Sequence, residues 1–171
     1  MKRFFTALFS VLFAVLVFCE PGHSAIKASL EANTVDSAAT RKVIVGIINT
    51  VINASGTFDI KAISDFYTPN ALVADEEPPF SWNGPTAGVQ WVNTVEKTCK
   101  DLKIKRLKGR IGRISVYLQS DESVYVIVPV DYVGEIHDQS FEENGAFTFV
   151  FRLVNGKWLI KSQVWVSRKG M

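Results

Sequence analysis

The sequence predicts an α+β domain in which helices come first and a long antiparallel sheet follows. Two observations indicate this fold class. Apolar residues recur at helical spacing before residue 100, and they alternate with period two from residue 103 onward. Turn signals divide the second part into consecutive hairpins, as in an antiparallel sheet. The length of 171 residues suits one such domain, and no internal repeat or composition shift marks a second.

The first 25 residues are expected to be a secretory signal peptide and to lie outside this domain. Lys2 and Arg3 precede an apolar run from residue 4 to residue 18, and small residues follow up to Ser24 and Ala25. An uncleaved membrane anchor is the alternative, but the run is shorter than the roughly 20 residues that span a bilayer. The sequence therefore predicts a secreted or periplasmic domain over residues 26–171. It should have no membrane span after cleavage, which is expected after Ser24 or Ala25.

Three helices are predicted at the start of the domain. The first begins at Asp36 and runs to about residue 53, where a Ser-Gly pair ends it. A short second helix over residues 59–67 is followed by a short strand over residues 71–75, and Pro85 starts the third helix. The apolar positions of the first helix are Val43, Ile44, Ile47, Ile48, Val51 and Ile52. The buried face of the third is expected to be Gly88, Val92, Val95 and Cys99.

Four long strands are predicted from the period-two alternation. They cover residues 104–118, 123–136, 141–154 and 157–167. Residues 120–122 are a predicted hairpin turn, and the Asn155-Gly156 pair is a strong turn signal because both residue types tolerate positive φ. A loop around Asp138 joins the two middle strands.

Composition and motifs exclude several function classes. The 19 basic and 17 acidic side chains give a formal net charge of +2, too small to indicate a nucleic-acid binder. Outside the expected signal peptide the sequence has one cysteine, Cys99, and one histidine, His137. These counts exclude an internal disulfide and the usual Cys/His zinc sites. No P-loop, G-x-G-x-x-G or G-x-S-x-G motif occurs. The sequence therefore predicts no metal, no cofactor and no nucleic-acid partner.

Most of the domain resembles the NTF2-like superfamily, which includes ketosteroid isomerases and SnoaL-like cyclases. The resemblance covers residues 36–168, and its most specific stretch runs from Asp59 to Asp75 and on to Gly84. Residues 151–158 are similar to the family's final hairpin, and Trp165 falls at an aromatic position of its last strand. The resemblance implies a cone, with three N-terminal helices packed on a curved antiparallel sheet and a pocket inside.

The implied pocket would have aromatic and apolar walls. Parity along the strands places Phe149 on one strand face, and Gln163 and Trp165 together on a face of the last strand. A packed core without a cavity is the alternative, because aromatic stripes usually belong to the core. Tyr132 is a further residue that could hydrogen-bond a ligand. The expected ligand-binding residues are Tyr67, Trp82, Trp91, Phe149, Gln163 and Trp165.

Asp75 is the candidate catalytic residue. The resemblance implies that it matches the isomerase aspartate, a general base that moves a proton between two substrate carbons. A carboxylate at a pocket mouth beside two glutamates tends toward a raised pKa, which suits a base, although a solvated acidic turn is the alternative. The family's oxyanion donors are unmatched, since their positions fall near Thr50 or Val51 and at Phe149. The sequence therefore argues against steroid isomerisation by that route.

Three functions remain open on the sequence. The favoured one is non-catalytic binding of a small apolar or aromatic molecule. The second is a SnoaL-like isomerase or lyase that uses Asp75 as its general base, and turnover lost with Asp75 would distinguish it. The third is a protein-interaction module that uses the open sheet, including a possible homodimer, and a concentration-dependent mass without ligand uptake would support it.

Overall fold

A computed structural model shows a mixed seven-stranded sheet with two α-helices, which confirms the α+β class. It describes the backbone of residues 23–168 and the side chains of residues 37–168, so residues 1–22 of the expected signal peptide lie outside the described part. Residues from 37 onward form one compact unit that holds the sheet, and residues 23–36 of the other unit are helical. The elements are α1 (His23–Thr57), a 3₁₀ turn (Ile60–Ile63), β1 (Tyr67–Ala74), β2 (Ser81–Asn83), α2 (Ala87–Asp101), β3 (Lys105–Ile111), β4 (Val116–Gln119), β5 (Ser123–Ile136), β6 (Gln139–Val154) and β7 (Lys157–Ser167).

The C-terminal part of α1 buries the apolar face that its helical spacing predicts. Its fully or almost fully buried positions include Ile44, Ile48, Val51 and Ile52. The predicted stop at the Ser-Gly pair is wrong, because the helix continues to Thr57 and the chain turns at Phe58, with φ 59°. Gly56 instead allows close packing on β3, since a Cβ there would lie 2.9 Å from the carbonyl oxygen of Leu107.

The predicted second helix is only a single 3₁₀ turn. The carboxylate of Asp59 caps this turn by accepting hydrogen bonds from the backbone N–H groups of Lys61 and Ala62. Tyr67 begins β1 instead of ending a helix, because the chain here pairs with β7, where the Ile160 N–H donates to the Phe66 carbonyl at 2.7 Å. Pairing across the sheet overrides the local helical spacing. The described residues therefore contain two α-helices rather than the three expected.

The third predicted helix is confirmed as α2. Its buried residues are Ala87, Gly88, Trp91, Val92 and Cys99. Pro85 lies just before the helix, whose N-cap is Thr86. Within the described residues, neither α1 nor α2 has a stretch long and apolar enough to cross a membrane.

The sheet is mixed, which corrects the expectation of a purely antiparallel one. Its strand order is β2-β1-β7-β6-β5-β3, with β4 also paired to β5. β1 and β7 run parallel, and the other pairs are antiparallel. A parallel pair needs a long connection, and here α2 and the other long strands lie between the two partners in the chain. No local signal in the sequence marks such a pairing.

The segment predicted as one strand over residues 104–118 is two strands, β3 and β4. Both pair with β5, and the break between them lies opposite Pro129. The Pro129 carbonyl accepts a hydrogen bond from the Gly112 N–H at 2.8 Å, so Pro129 faces the segment between β3 and β4. Because proline has no N–H to donate back, the ladder cannot continue there.

The long hairpins agree with their turn signals. Asn155 and Gly156 connect β6 to β7 with positive φ at both residues, and His137 and Asp138 do the same between β5 and β6. Two consecutive positive φ values match the twist of the flanking strands. The resulting register places alternate residues of β5 and β6 in the core: Val124, Val126, Val128, Val130, Phe147, Phe149 and Phe151.

Candidate functional site

A cavity of about 360 Å³ lies between α2 and one face of the sheet. Its apolar lining consists of Trp91, Val95, Leu102, Ile104, Leu107, Ile136, Phe141 and Trp165. Its polar lining consists of Asp75, Glu76, Glu77, Thr98, Cys99, Tyr132, Glu142 and Glu143. The carboxylates of Glu76, Glu77 and Glu142 are exposed to solvent and form the rim of the cavity.

Gly145 makes room for the indole of Trp165 on the wall of this cavity. A Cβ at Gly145 would lie 2.5 Å from that ring, so only a residue without a side chain lets the ring lie against β6. Trp165 also contacts Phe147 with ring centroids 4.8 Å apart, and Tyr132 with centroids 5.5 Å apart in an edge-to-face arrangement. These contacts hold the indole in one orientation.

Asp75 lies at the cavity directly after β1 and is partly buried. Its Oδ2 accepts a hydrogen bond from Trp91 Nε1 at 2.5 Å, and its Oδ1 accepts one from the backbone N–H of Glu76 at 2.6 Å. Burial raises the pKa of Asp75, and the charge of Glu76 adds to this, while hydrogen bonds from Trp91 and from the backbones of Glu76 and Glu77 oppose it. A carboxylate in this setting can accept a proton or bind a positive group.

Tyr132 extends from β5 to the same cavity and is almost fully buried. Its hydroxyl lies 2.8 Å from Ser55 Oγ of α1. Burial raises the pKa of Tyr132 well above its usual range; the Ser55 hydrogen bond opposes the shift, and the charges of Asp75 and Glu143 add to it. The phenol is therefore neutral across the physiological pH range and faces two carboxylates.

A second buried polar pair lies on β1 and β7. The Tyr67 hydroxyl donates to Gln163 Oε1 at 2.7 Å, and burial raises the pKa of Tyr67 well above its usual range. Gln163 is fully buried, and its Nε2 has no hydrogen-bond partner in the described part of the chain. Neither residue lines the cavity.

The structure brings three of the seven predicted site residues to the cavity: Asp75, Trp91 and Trp165. The other four are buried outside its lining: Tyr67, Trp82, Phe149 and Gln163. Thr50 and Val51, which fall near a family donor position, also lie outside it; the Thr50 hydroxyl donates to the Gly46 carbonyl and Val51 is fully buried.

Sequence reasoning missed all three lining residues of β6, which are Phe141, Glu142 and Glu143. Phe141 and Glu143 share the strand parity of Phe147, so period-two alternation extended toward the start of β6 would have identified these two. Glu143 lies directly opposite Tyr132 in the β5–β6 register, which explains the effect of its charge on that hydroxyl. Tyr132 was named as a residue that could hydrogen-bond a ligand or an enolate, and its bond to Ser55 has no sequence signal.

A metal site has no support in the side chains that the structure describes. In that part of the chain, no group of three or more His, Cys, Asp or Glu residues is arranged to hold a metal ion.

Comparison with solved structures identifies the fold. The hexachlorocyclohexane dehydrochlorinase LinA-type3 from Novosphingobium barchaimii LL02 has a TM-score of 0.69 at 15% identity, over 79% of this chain and 90% of that one. An NTF2-like protein with a cystatin-like fold from Novosphingobium aromaticivorans has a TM-score of 0.66 at 12% identity, over 90% of this chain and 94% of that one. A putative scytalone dehydratase from the same species has a TM-score of 0.63 at 12% identity, over 78% of this chain and 87% of that one.

These likenesses confirm the NTF2-like fold that the sequence resembles. At such low identities they show the fold alone. No model of a protein family matches the sequence, and no curated protein matches it either.

Proposed function

We propose that this protein binds a small, largely apolar organic molecule in the cavity between α2 and the sheet. The observation that carries this proposal is the chamber of about 360 Å³, whose walls include Trp91, Phe141 and Trp165 and whose lining also contains Asp75 and Tyr132. Small-molecule sites typically have about 300–1,000 Å³ and apolar walls with a few placed polar groups. The volume of the cavity falls within this range, and eight of its sixteen lining residues are apolar.

Replacing Trp165 with alanine tests this proposal. The variant is expected to bind N-phenyl-1-naphthylamine, an apolar fluorescent probe, about tenfold or more weakly, since burying an aromatic side chain is worth about 1.5–3 kcal/mol. Trp158→Ala is the matched control, because Trp158 is on the same strand and packs against the core but does not line the cavity. Titration of both variants with the probe, below their melting temperatures, measures the change in probe affinity.

Equal weakening by the two tryptophan variants would show that the probe senses general loosening of the fold. Absence of probe binding to the unmodified protein would remove the support for a binding pocket. Binding that is lost only in Trp165→Ala supports the proposed site.

A second candidate function is proton abstraction from a bound substrate by Asp75. The specific observation in its favour is a carboxylate inside the cavity whose pKa is raised by burial, as suits a general base. Proteins of the same fold carry the names dehydrochlorinase and putative scytalone dehydratase, which denote eliminations. The lining contains no histidine to relay the proton, so Asp75 would act alone.

We also propose that the chain is exported, because residues 1–25 have the charged, apolar and small-residue layout of a signal peptide. Protein recovered from the periplasm or the medium is expected to begin at Ala25 or Ile26, as measured by N-terminal sequencing or intact mass. Finding Met1 or Lys2 at the start of protein held in the membrane fraction would contradict export with cleavage.

A further inference from the structure

We infer that the molecule held in this pocket is an organic cation, namely an apolar or aromatic body that carries a protonated amine. This inference rests on the proposed binding function and adds the charge class of the ligand. It follows from the direction of the hydrogen bonds around the cavity, from the charges of its lining and from its aromatic walls.

The hydroxyl of Tyr132 has no proton to donate to a ligand. Ser55 Oγ donates its single proton to the carbonyl oxygen of Ile52 at 2.8 Å. In the 2.8 Å contact between Ser55 and Tyr132, the proton must therefore come from the tyrosine. The phenol proton thus points to α1 and is not available to a ligand.

The indole N–H of Trp91 is likewise unavailable to a ligand, because it is bonded to Asp75. Asp75 itself accepts from Trp91 and from the backbone of Glu76 and Glu77. A carboxylate has about four lone-pair sites, so about one remains for a further donor. Tyr132 and Trp91 therefore have no proton free for a ligand, and Asp75 favours a ligand that donates a hydrogen bond.

The charges of the lining have the same sign. Five carboxylates line the cavity, and no lysine, arginine or histidine is among its lining residues. Two of the rim carboxylates are held by hydrogen bonds: Glu76 accepts from the Ser167 N–H at 2.8 Å, and Glu142 accepts from Asn144 at 2.9 Å. Exposed carboxylates are well screened, so the partly buried Asp75 is expected to provide most of the attraction.

The walls suit the same ligand class. Trp91, Trp165, Tyr132 and Phe141 present aromatic rings around the cavity. A cation over an aromatic face gains electrostatic attraction, and this gain is larger where water is excluded. An apolar body would fill the chamber while its ammonium group bonds to Asp75.

Binding of a cation makes a definite prediction about pH. The groups facing Asp75 are Glu76 and Glu77 on its own loop, Trp91 on α2 and Tyr132 on β5, with Glu143 of β6 beyond the phenol. Burial raises the pKa of Asp75, and a bound cation would lower it again because the cation favours the ionised form. Affinity should therefore increase as the pH rises through the pKa of Asp75, with release of a proton on binding.

The test is a comparison of three probes with the same aromatic body: 1-naphthylmethylamine, which is protonated near neutral pH, 1-naphthylmethanol and 1-naphthoate. Isothermal titration of the purified protein is expected to show the amine binding at least about tenfold more tightly than the alcohol, as expected of one charge-assisted hydrogen bond. The carboxylate should bind most weakly. In Asp75→Asn the preference for the amine should fall to about threefold, because only the exposed rim carboxylates then attract the cation.

Glu122→Gln is the control, because Glu122 is exposed in the turn between β4 and β5 and does not line the cavity. This variant should leave the preference for the amine unchanged. Equal binding of amine and alcohol, or tighter binding of the carboxylate, would overturn the cation while leaving the proposed pocket in place. Failure of all three probes to bind would overturn both. The probe series uses the unmodified protein, so the test holds even if Asp75→Asn folds poorly.

Discussion

Replacing Phe149 with alanine is expected to lower the free energy of unfolding by about 3–5 kcal/mol, the usual cost of removing a buried aromatic side chain. Phe149 is fully buried, and its ring lies between those of Phe147 and Phe151, with centroids 5.6 and 5.8 Å away. Urea unfolding followed by circular dichroism measures the change. Leu153→Ala on the same strand is the control, since Leu153 is 39% exposed and should cost about 1 kcal/mol or less.

The same variant separates the core from the cavity. Because Phe149 does not line the cavity, folded Phe149→Ala protein should bind the apolar probe about as tightly as the unmodified protein. A small stability loss together with strongly weakened binding would show that the ring contacts the ligand, as the strand parity suggested. That result would extend the cavity deeper between the sheet and the helices.

The protein is expected to show no isomerisation of a 3-oxo-5-ene steroid above the uncatalysed rate. Each oxyanion donor is typically worth about 10²–10³ in rate. The resemblance to ketosteroid isomerases implies that both donors are missing, because it matches their positions to Phe149 and to Thr50 or Val51. Tyr132 does not replace them, because its proton is donated to Ser55. Absorbance of the conjugated product measures the reaction.

Turnover by the unmodified protein that disappears in Asp75→Asn would contradict this expectation and establish Asp75 as a base. Tyr132→Phe then identifies the oxyanion donor. If activity falls in that variant too, the phenol must reorient its proton from Ser55 to the substrate. If activity persists, the Tyr67 hydroxyl becomes the remaining phenolic candidate.

Local patterns predicted most of the fold correctly. The alternation of residues 123–136 corresponds to β5, and the Asn155-Gly156 signal corresponds to the β6–β7 turn. The failures occurred where distant strands compete with local preference. The helical spacing before Tyr67 gave way to pairing with β7, and the alternation of residues 104–118 was interrupted opposite Pro129.

The candidate site was only partly predictable. Asp75 and Trp165 were identified through resemblance, and the structure places both at the cavity. Phe149 and Gln163 were assigned to the cavity by strand parity. Parity shows which face of the sheet a side chain is on, but it does not show whether that side chain lines the cavity or packs in the core. Both side chains lie on the expected buried face, and neither is in the cavity lining.

The sequence by itself determined the α+β class, the two main helices, the long hairpins and the residues that face the core. These features follow from spacings of two to four residues and from turn chemistry, which act between near neighbours in the chain. Only the tertiary structure decided the parallel β1–β7 pairing, the shape of the cavity and the direction of its hydrogen bonds. The proton of Tyr132 is donated to a residue 77 positions away in the chain, and the indole of Trp91 on α2 bonds the carboxylate of Asp75 in the loop after β1. Such contacts depend on how the elements pack, because packing brings together groups that no local pattern relates.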